Sequence, residues 1–91
     1  MVIGTVIGNV WATRKEESLN GHKLLIVKPI EYRSSSSPYP FVAVDNIGAG
    51  IGETVLVVQG SSARKAVNDQ TAPIDATIVG IVDQLELNED V

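Results

Sequence analysis

Residues 42–59 read VAVDNIGAGIGETVLVVQ, and this stretch decides which fold the chain can adopt. Two runs rich in β-branched residues flank seven residues that include three glycines, a pattern typical of two strands joined by a tight turn. FVAVD (41–45) and ETVLVVQ (53–59) are therefore predicted as strands, with NIGAGIG (46–52) as the turn. Glycine adopts positive φ without a steric penalty, so the turn is expected to need positive φ at several positions.

Three further strands are predicted on either side of this unit. They are VIGTVIGNVWAT (2–13), KLLIVKPI (23–30) and ATIVGIVDQLEL (76–87). Asn20-Gly21 is the strongest hairpin signal in the chain. Gly4 and Gly8 lie inside the first strand, where glycine usually marks a bend or a close approach of another backbone. Trp11 is expected to be a packing residue.

One short helix is predicted between the fourth and fifth strands. Ser61 or Ser62 can cap it, and it should run to about Val67. EYRSSSSPYP (31–40), with the Ser34–Ser37 run, reads as a surface loop. Five strands and one helix in 91 residues predict a single all-β domain over residues 1–91, a small five-stranded OB-like β-barrel. The usual OB order has its helix between strands three and four, so a variant topology is expected.

Two of the predicted strands are apolar on both faces. VLVV (55–58) and IVGIV (78–82) lack the alternation of a half-buried strand. One short helix cannot cover both outer faces, and monomers rarely leave large apolar patches in solvent. An oligomer is therefore predicted. The alternative is that these are simply central strands of a tightly closed barrel.

Composition excludes several classes of function. The net charge is −4 and no basic cluster exceeds two residues, so a nucleic-acid partner is not expected. The chain has no cysteine, which removes disulfides and thiolate metal sites and fits a reducing cytoplasm. No apolar run approaches the roughly 20 residues needed to cross a bilayer, so no membrane association is expected.

No motif indicates catalysis. GAGIG (48–52) lacks the spacing of a phosphate loop and leads into a strand rather than a helix. A nucleophilic triad would need His22 beside Ser61 or Ser62 with Asp75 behind, and nothing in the sequence places them together. Asp75 is expected instead to tie the turn before the last strand through backbone N–H groups. No catalytic, cofactor or metal residue is predicted, and the chain is not expected to be an enzyme.

Three blocks of the sequence resemble a known family. NGHKLLIVKPI (20–30), VAVDNIGAGIGETVLVVQGSSARKAV (42–67) and PIDATIVGIVDQLEL (73–87) look like those of the EutN/CcmL family, the pentameric vertex proteins of bacterial microcompartment shells. The resemblance implies an OB-like barrel, a cyclic homopentamer and no enzymatic activity. It also implies a location in the shell of a carboxysome or metabolosome, with hexameric or trimeric shell proteins as partners.

The resemblance further implies which residues lie at the subunit interface or in the axial region of the ring. These are Asp45, Asn46, Gly48, Ala49, Gly50, Gly52, Ser61, Ser62, Arg64 and Asp75. Two alternatives stay open from the residues alone. One is an OB-like binding module for nucleic acid or a protein partner, and the other is a small enzyme that uses Ser61 or Ser62 with His22.

Overall fold

The computed structural model of the chain describes residues 1–13, 15–30 and 39–88. Most of the predicted serine loop, including Ser34–Ser37, and the last three residues lie outside the described part. The elements are β1 (Val2–Val10), β2 (Lys23–Pro29), β3 (Phe41–Asp45), β4 (Thr54–Gln59), α1 (Ser61–Ala66) and β5 (Ala76–Val82), with a 3-10 turn at Glu17–Leu19. The five predicted strands and the predicted helix are therefore present in the predicted order.

Two strands are shorter than predicted because their partners end. β1 ends at Val10, which pairs with Leu24 near the start of β2, and residues 11–13 have no strand beside them. β5 ends at Val82, which pairs with Thr54, the first residue of β4. Apolar alternation continues past both points in the sequence, but a strand needs a partner as well as a pattern.

The strands form a closed barrel in the order β1-β2-β3-β5-β4. All neighbours are antiparallel except β3 and β5, which are parallel and share two residue pairs, Val44 with Thr77 and Asp45 with Ile78. The helix lies between β4 and β5 in the chain. The prediction of an OB-like barrel with a variant helix position is confirmed.

The barrel interior is filled by small β-branched and aliphatic side chains from all five strands. Leu25, Val27, Val55 and Val57 have no exposed surface. At Gly4 a Cβ atom would lie 2.5 Å from Val27 Cγ1 and 2.9 Å from the Lys28 carbonyl oxygen, so β1 and β2 approach as closely as the prediction for this glycine required. A second apolar cluster lies under α1 and consists of Val44, Ala63, Ala72 and Ile74.

Two β-bulges interrupt the pairing of the barrel. The β1–β2 register shifts between Val6 and Gly8, which leaves Ile7 as the extra residue. The β4–β5 register shifts so that Leu56 pairs with Gly80 and Val57 with Ile78, which leaves Val79 extra. A bulge re-aims its side chain. Ile7 is 47% exposed and Val79 is 39% exposed, so both apolar side chains contact solvent in the single chain.

Candidate subunit interface

The carboxylate of Asp45 organises the glycine turn at the end of β3. Asp45 is 3% exposed. Its Oδ1 accepts a hydrogen bond from the Ile47 amide at 3.1 Å, and its Oδ2 accepts one from the Ala49 amide at 2.9 Å. A buried carboxylate is stable only when such donors replace its water. The strand residue therefore fixes the path of the four residues that follow it.

The second half of the turn is held against β1 and β2. The Gly52 amide donates to the Val6 carbonyl at 2.8 Å, and the Val6 amide donates to the Glu53 carbonyl at 2.9 Å. The Glu53 side chain accepts a hydrogen bond from the Gly50 amide at 2.6 Å. Lys23 Nζ donates to the Ala49 carbonyl at 3.1 Å. The turn is thus tied to the barrel at both ends.

Positive φ is confined to two of the three turn glycines. Gly48 has φ +90° and Gly52 has φ +93°, which confirms the expectation of several positive-φ positions. Gly50 has no positive φ, and a Cβ atom there would meet only Glu53 Oε1, at 3.4 Å. The described contact at this part of the turn is the hydrogen bond from the Gly50 amide to the Glu53 carboxylate.

The second group of predicted residues surrounds the start of α1. The Gly60 amide donates to the Asp75 carbonyl at 2.9 Å, so the chain before the helix meets the chain before β5. Arg64 Nη1 donates to the Ile74 carbonyl at 3.2 Å. Thr77 donates from its hydroxyl to the Ala63 carbonyl at 2.9 Å and so fastens the helix to β5. This arrangement brings Ser61, Ser62, Arg64 and Asp75 into one region.

Two expectations for this region are wrong. The helix begins after Gly60, which has φ +64° and serves as N-cap without a side-chain hydrogen bond, so neither Ser61 nor Ser62 caps it. The serines already lie inside the helix and are exposed. Asp75 ties its turn through its carbonyl oxygen rather than through its exposed carboxylate. Other carboxylates do hold turns through backbone amides, among them those of Asp45, Glu53 and Asp69.

The predicted interface residues therefore form two separate groups within one chain. The turn group (Asp45, Asn46, Gly48, Ala49, Gly50, Gly52) precedes β4, and the helix group (Ser61, Ser62, Arg64, Asp75) follows it. Six strand residues separate them, a distance of roughly 20 Å at 3.3 Å per residue. One chain presents two different surfaces rather than a single site.

Exposed apolar side chains accompany these groups. The turn carries Ile47 and Ile51, which are 45% and 62% exposed. The barrel wall carries Ile7 and Val79 at the bulges. Residue composition alone does not reveal a bulge, so the sequence reasoning did not single out these two positions. Trp11 was expected to be a packing residue, but within the single chain it lies just beyond Val10, the last paired residue of β1, and is 91% exposed.

No catalytic arrangement occurs in the described part of the chain. His22 Nδ1 lies 3.2 Å from Asn46 Oδ1, and neither Ser61 nor Ser62 hydrogen-bonds to it. Hydrogen bonds from the Thr71 hydroxyl and amide hold the pKa of Asp69 below its ordinary value, and this exposed carboxylate shapes a turn. No group of three or more potential metal ligands is found among the described residues. In the same residues, no helix has the length and hydrophobicity required to traverse a lipid bilayer.

These features define a class of protein: a small closed β-barrel whose distinctive parts are structured turns and exposed apolar side chains. Residues 1–83 match the family model described as "Ethanolamine utilisation protein EutN/carboxysome". The chain belongs to the EutN/CcmL family, as the resemblance predicted.

Individual relatives are similar over nearly their whole length. The shell vertex protein GrpN of Rhodospirillum rubrum is 46% identical over 86 residues, covering 94% of this chain and 97% of GrpN. The shell vertex protein EutN of Escherichia coli is 42% identical over 85 residues, covering 93% of this chain and 90% of EutN. These relatives are named as shell vertex proteins and not as enzymes, which confirms the prediction that the chain is not an enzyme.

Solved structures agree with the fold. The structure described as the GrpN pentameric microcompartment shell protein from Rhodospirillum rubrum has a TM-score of 0.82 at 45% identity, covering 98% of this chain and 100% of that chain. The carboxysome protein CcmL of Gloeobacter violaceus has a TM-score of 0.86 at 38% identity, covering 97% of this chain and 91% of that chain. The similarity therefore spans the barrel, the glycine turn and α1.

Proposed function

We propose that this chain is a structural shell protein of a bacterial microcompartment, and that it forms homopentamers that cap the vertices of a polyhedral shell. The main observation that supports the proposal is that two apolar side chains of the barrel wall, Ile7 and Val79, are exposed. A monomer would leave these side chains in water, whereas a neighbouring subunit would cover them. The relatives support the proposal, since GrpN is described as a pentameric microcompartment shell protein.

A ring suits the two separate groups of interface residues. A cyclic pentamer uses a heterologous contact, in which each subunit offers two different surfaces to its two neighbours. The turn group and the helix group lie at opposite ends of β4 and would supply different surfaces. We include all ten predicted residues in the proposed interface or axial region: Asp45, Asn46, Gly48, Ala49, Gly50, Gly52, Ser61, Ser62, Arg64 and Asp75.

The shell context extends the proposal. Five-fold units introduce curvature into a flat sheet of hexagonal tiles, so the partners would be hexameric or trimeric shell proteins. Each contact with such a tile would be weak, and many contacts acting together would make the assembly stable. The chain would act as one domain over residues 1–91, in a shell located in the cytoplasm, without nucleic-acid or membrane partners.

The exposed indole of Trp11 near Lys15 and Lys23 favours one alternative function, an OB-like module that binds single-stranded nucleic acid. A single-strand binder of the OB type stacks bases on aromatic side chains beside basic groups. The net charge of −4 opposes it, so titration with a labelled single-stranded oligonucleotide should show no binding at 50 mM salt. Salt-dependent binding that is lost in Trp11→Ala would support the binding module instead.

Native mass spectrometry tests the ring, with the bulge residue Val79 as the probe. The wild-type chain should appear as five copies of 9.7 kDa. Val79→Asp places a charge in the proposed contact and should abolish the pentamer, because an unpaired charge would be buried. Val79→Thr keeps the β-branched shape and should weaken the ring less. A wild-type monomer, or a pentamer unaffected by Val79→Asp, would contradict the proposed contact.

Electron microscopy tests the role in the shell. Co-expression with the hexameric shell proteins of the same microcompartment should give closed particles. Omission of this chain should give open or elongated shells while the hexamers still tile. Closed, regular shells in its absence would show that vertex capping is not its function.

A further inference from the structure

A cleft lies beside the end of β1 and the start of β2, next to the turn group, because its lining residues His22 and Lys23 contact Asn46 and Ala49. Its volume is about 170 Å³, and its lining includes Trp11, Ala12, Lys15, His22 and Lys23. Trp11 is almost fully exposed at its edge. A large aromatic surface left in solvent at the rim of a cleft is typical of a place where another chain docks.

The cleft is positively charged in a chain that is acidic overall. Lys15 Nζ donates to the Ala12 carbonyl at 3.4 Å, and Lys23 Nζ donates to the Ala49 carbonyl at 3.1 Å. Within the described residues neither ammonium has a carboxylate within ion-pair distance. The lysines therefore retain a charge that an acidic segment would complement.

The chain carries such a segment after β5. Residues 83–88 (DQLELN) are all exposed and belong to no strand. Leu85 and Leu87 are 41% and 60% exposed, and they alternate with polar residues, as in a strand that lays one face on a surface. Asp83 and Glu86 make the segment acidic, and the sequence continues with two more acidic residues.

The topology places the segment and the cleft at the same end of the barrel. β1 and β5 are both antiparallel to β4, so they run in the same direction and end on the same side. The segment does not line the cleft of its own chain. Six extended residues span roughly 20 Å, and the two short dimensions of the molecule are 24 and 22 Å. The segment is long enough to approach the next molecule in a ring.

Charge distinguishes this cleft from a second groove among the described residues of the barrel wall. That groove is lined by Leu19, Val42, Val44 and Ile74, and its charged lining residue is Asp75. An acidic segment would be repelled there, whereas the first cleft offers two lysines.

We propose that the acidic segment 83–88 of one subunit docks in the Trp11–Lys15–Lys23 cleft of the neighbouring copy, with Leu85 and Leu87 against the indole and Asp83, on the same face as the two leucines, near the lysines. This inference rests on the proposed pentamer. The docked segment would link each subunit to the next around the ring, in addition to the contact between barrels.

Cross-linking tests the docking directly, because the chain has no cysteine of its own. The double variant Ala12→Cys/Leu87→Cys, treated with a short bis-maleimide, should give a denaturing-gel ladder up to five linked chains. Each single-cysteine variant is the control and should stay at one chain. Products confined to one chain would mean that the segment folds back onto its own cleft, and this would overturn the proposal.

Charge reversal tests the role of Lys15. Lys15→Glu in the double-cysteine background should lower the ladder yield several-fold, and the added Asp83→Lys should restore it. Lys28→Glu is the matched control, because Lys28 is an exposed lysine of β2 outside the cleft, and it should leave the yield unchanged. Equal losses in Lys15→Glu and Lys28→Glu would overturn the docking.

Native mass spectrometry of the same samples separates the two proposals. A pentamer without the ladder would overturn the docking and leave the ring intact. A monomeric chain would overturn the ring and the docking together.

Discussion

At the residue scale, the glycine turn depends on one carboxylate. Asp45 occupies the last position of β3, where its side chain turns inward and meets two backbone amides of the following residues. The sequence made Asp45 a candidate for the interface through family resemblance. Its structural task, accepting from the Ile47 and Ala49 amides, could not be read from the sequence, because it depends on the path of the turn.

Removal of this carboxylate should destabilise the fold. Asp45→Ala leaves two amides without their acceptor, and each lost partner of this kind costs about 1–3 kcal/mol, so a total loss of about 2–6 kcal/mol is expected. Denaturant unfolding at one fixed protein concentration measures it. Glu17→Ala is the control, since Glu17 is exposed and should change stability by less than about 0.5 kcal/mol. Equal stability of the two variants would show that the turn does not depend on Asp45.

At the element scale, β1 shows what a pattern predicts and what it does not. β-branched residues with glycines at positions 4 and 8 predicted a bent strand, and Gly4 indeed lies where no Cβ fits. The bulge at Ile7 and the end of the strand at Val10 were not predictable. Both are set by the pairing with β2, and a single strand's sequence carries no information on where its partner starts.

The two glycines of β1 should differ in their tolerance of a methyl group. Gly4→Ala would place Cβ 2.5 Å from Val27 Cγ1 and 2.9 Å from a backbone oxygen, so it should cost about 1–3 kcal/mol through overpacking. Gly8→Ala meets only Ile26 Cδ1 at 3.4 Å and should be nearly neutral. Thermal unfolding of both variants checks the difference. If Gly4→Ala and Gly8→Ala unfold at the same temperature, then β1 and β2 are packed less closely than the distances at Gly4 indicate.

At the scale of the whole molecule, the sequence predicts the barrel and the order of its elements, which the structure confirms, and an oligomer, which stays a proposal. The oligomer prediction rests on strands that are apolar on both faces, such as VLVV (55–58), although Val58 packs against the cluster under α1 in its own chain. The exposure of Trp11 and the division of the ten predicted interface residues into two groups did not follow, because both depend on how strands of different length meet around the closed barrel. These are properties of the closed sheet and of no single segment.

The parallel pairing of β3 with β5 has a consequence for how the barrel opens. β1, β2 and β3 are joined by long antiparallel ladders, as are β4 and β5, whereas β3 and β5 meet through only two residue pairs. The sheet therefore has a seam, and rupture there costs less free energy than rupture between β1 and β2. In native-state hydrogen exchange of the isolated chain, amides bonded across the seam, near residues 44–45 and 77–78, should exchange faster than those in the middle of the β1–β2 ladder. Equal protection at both places would mean that the barrel unfolds as a single cooperative unit, without prior opening of the seam.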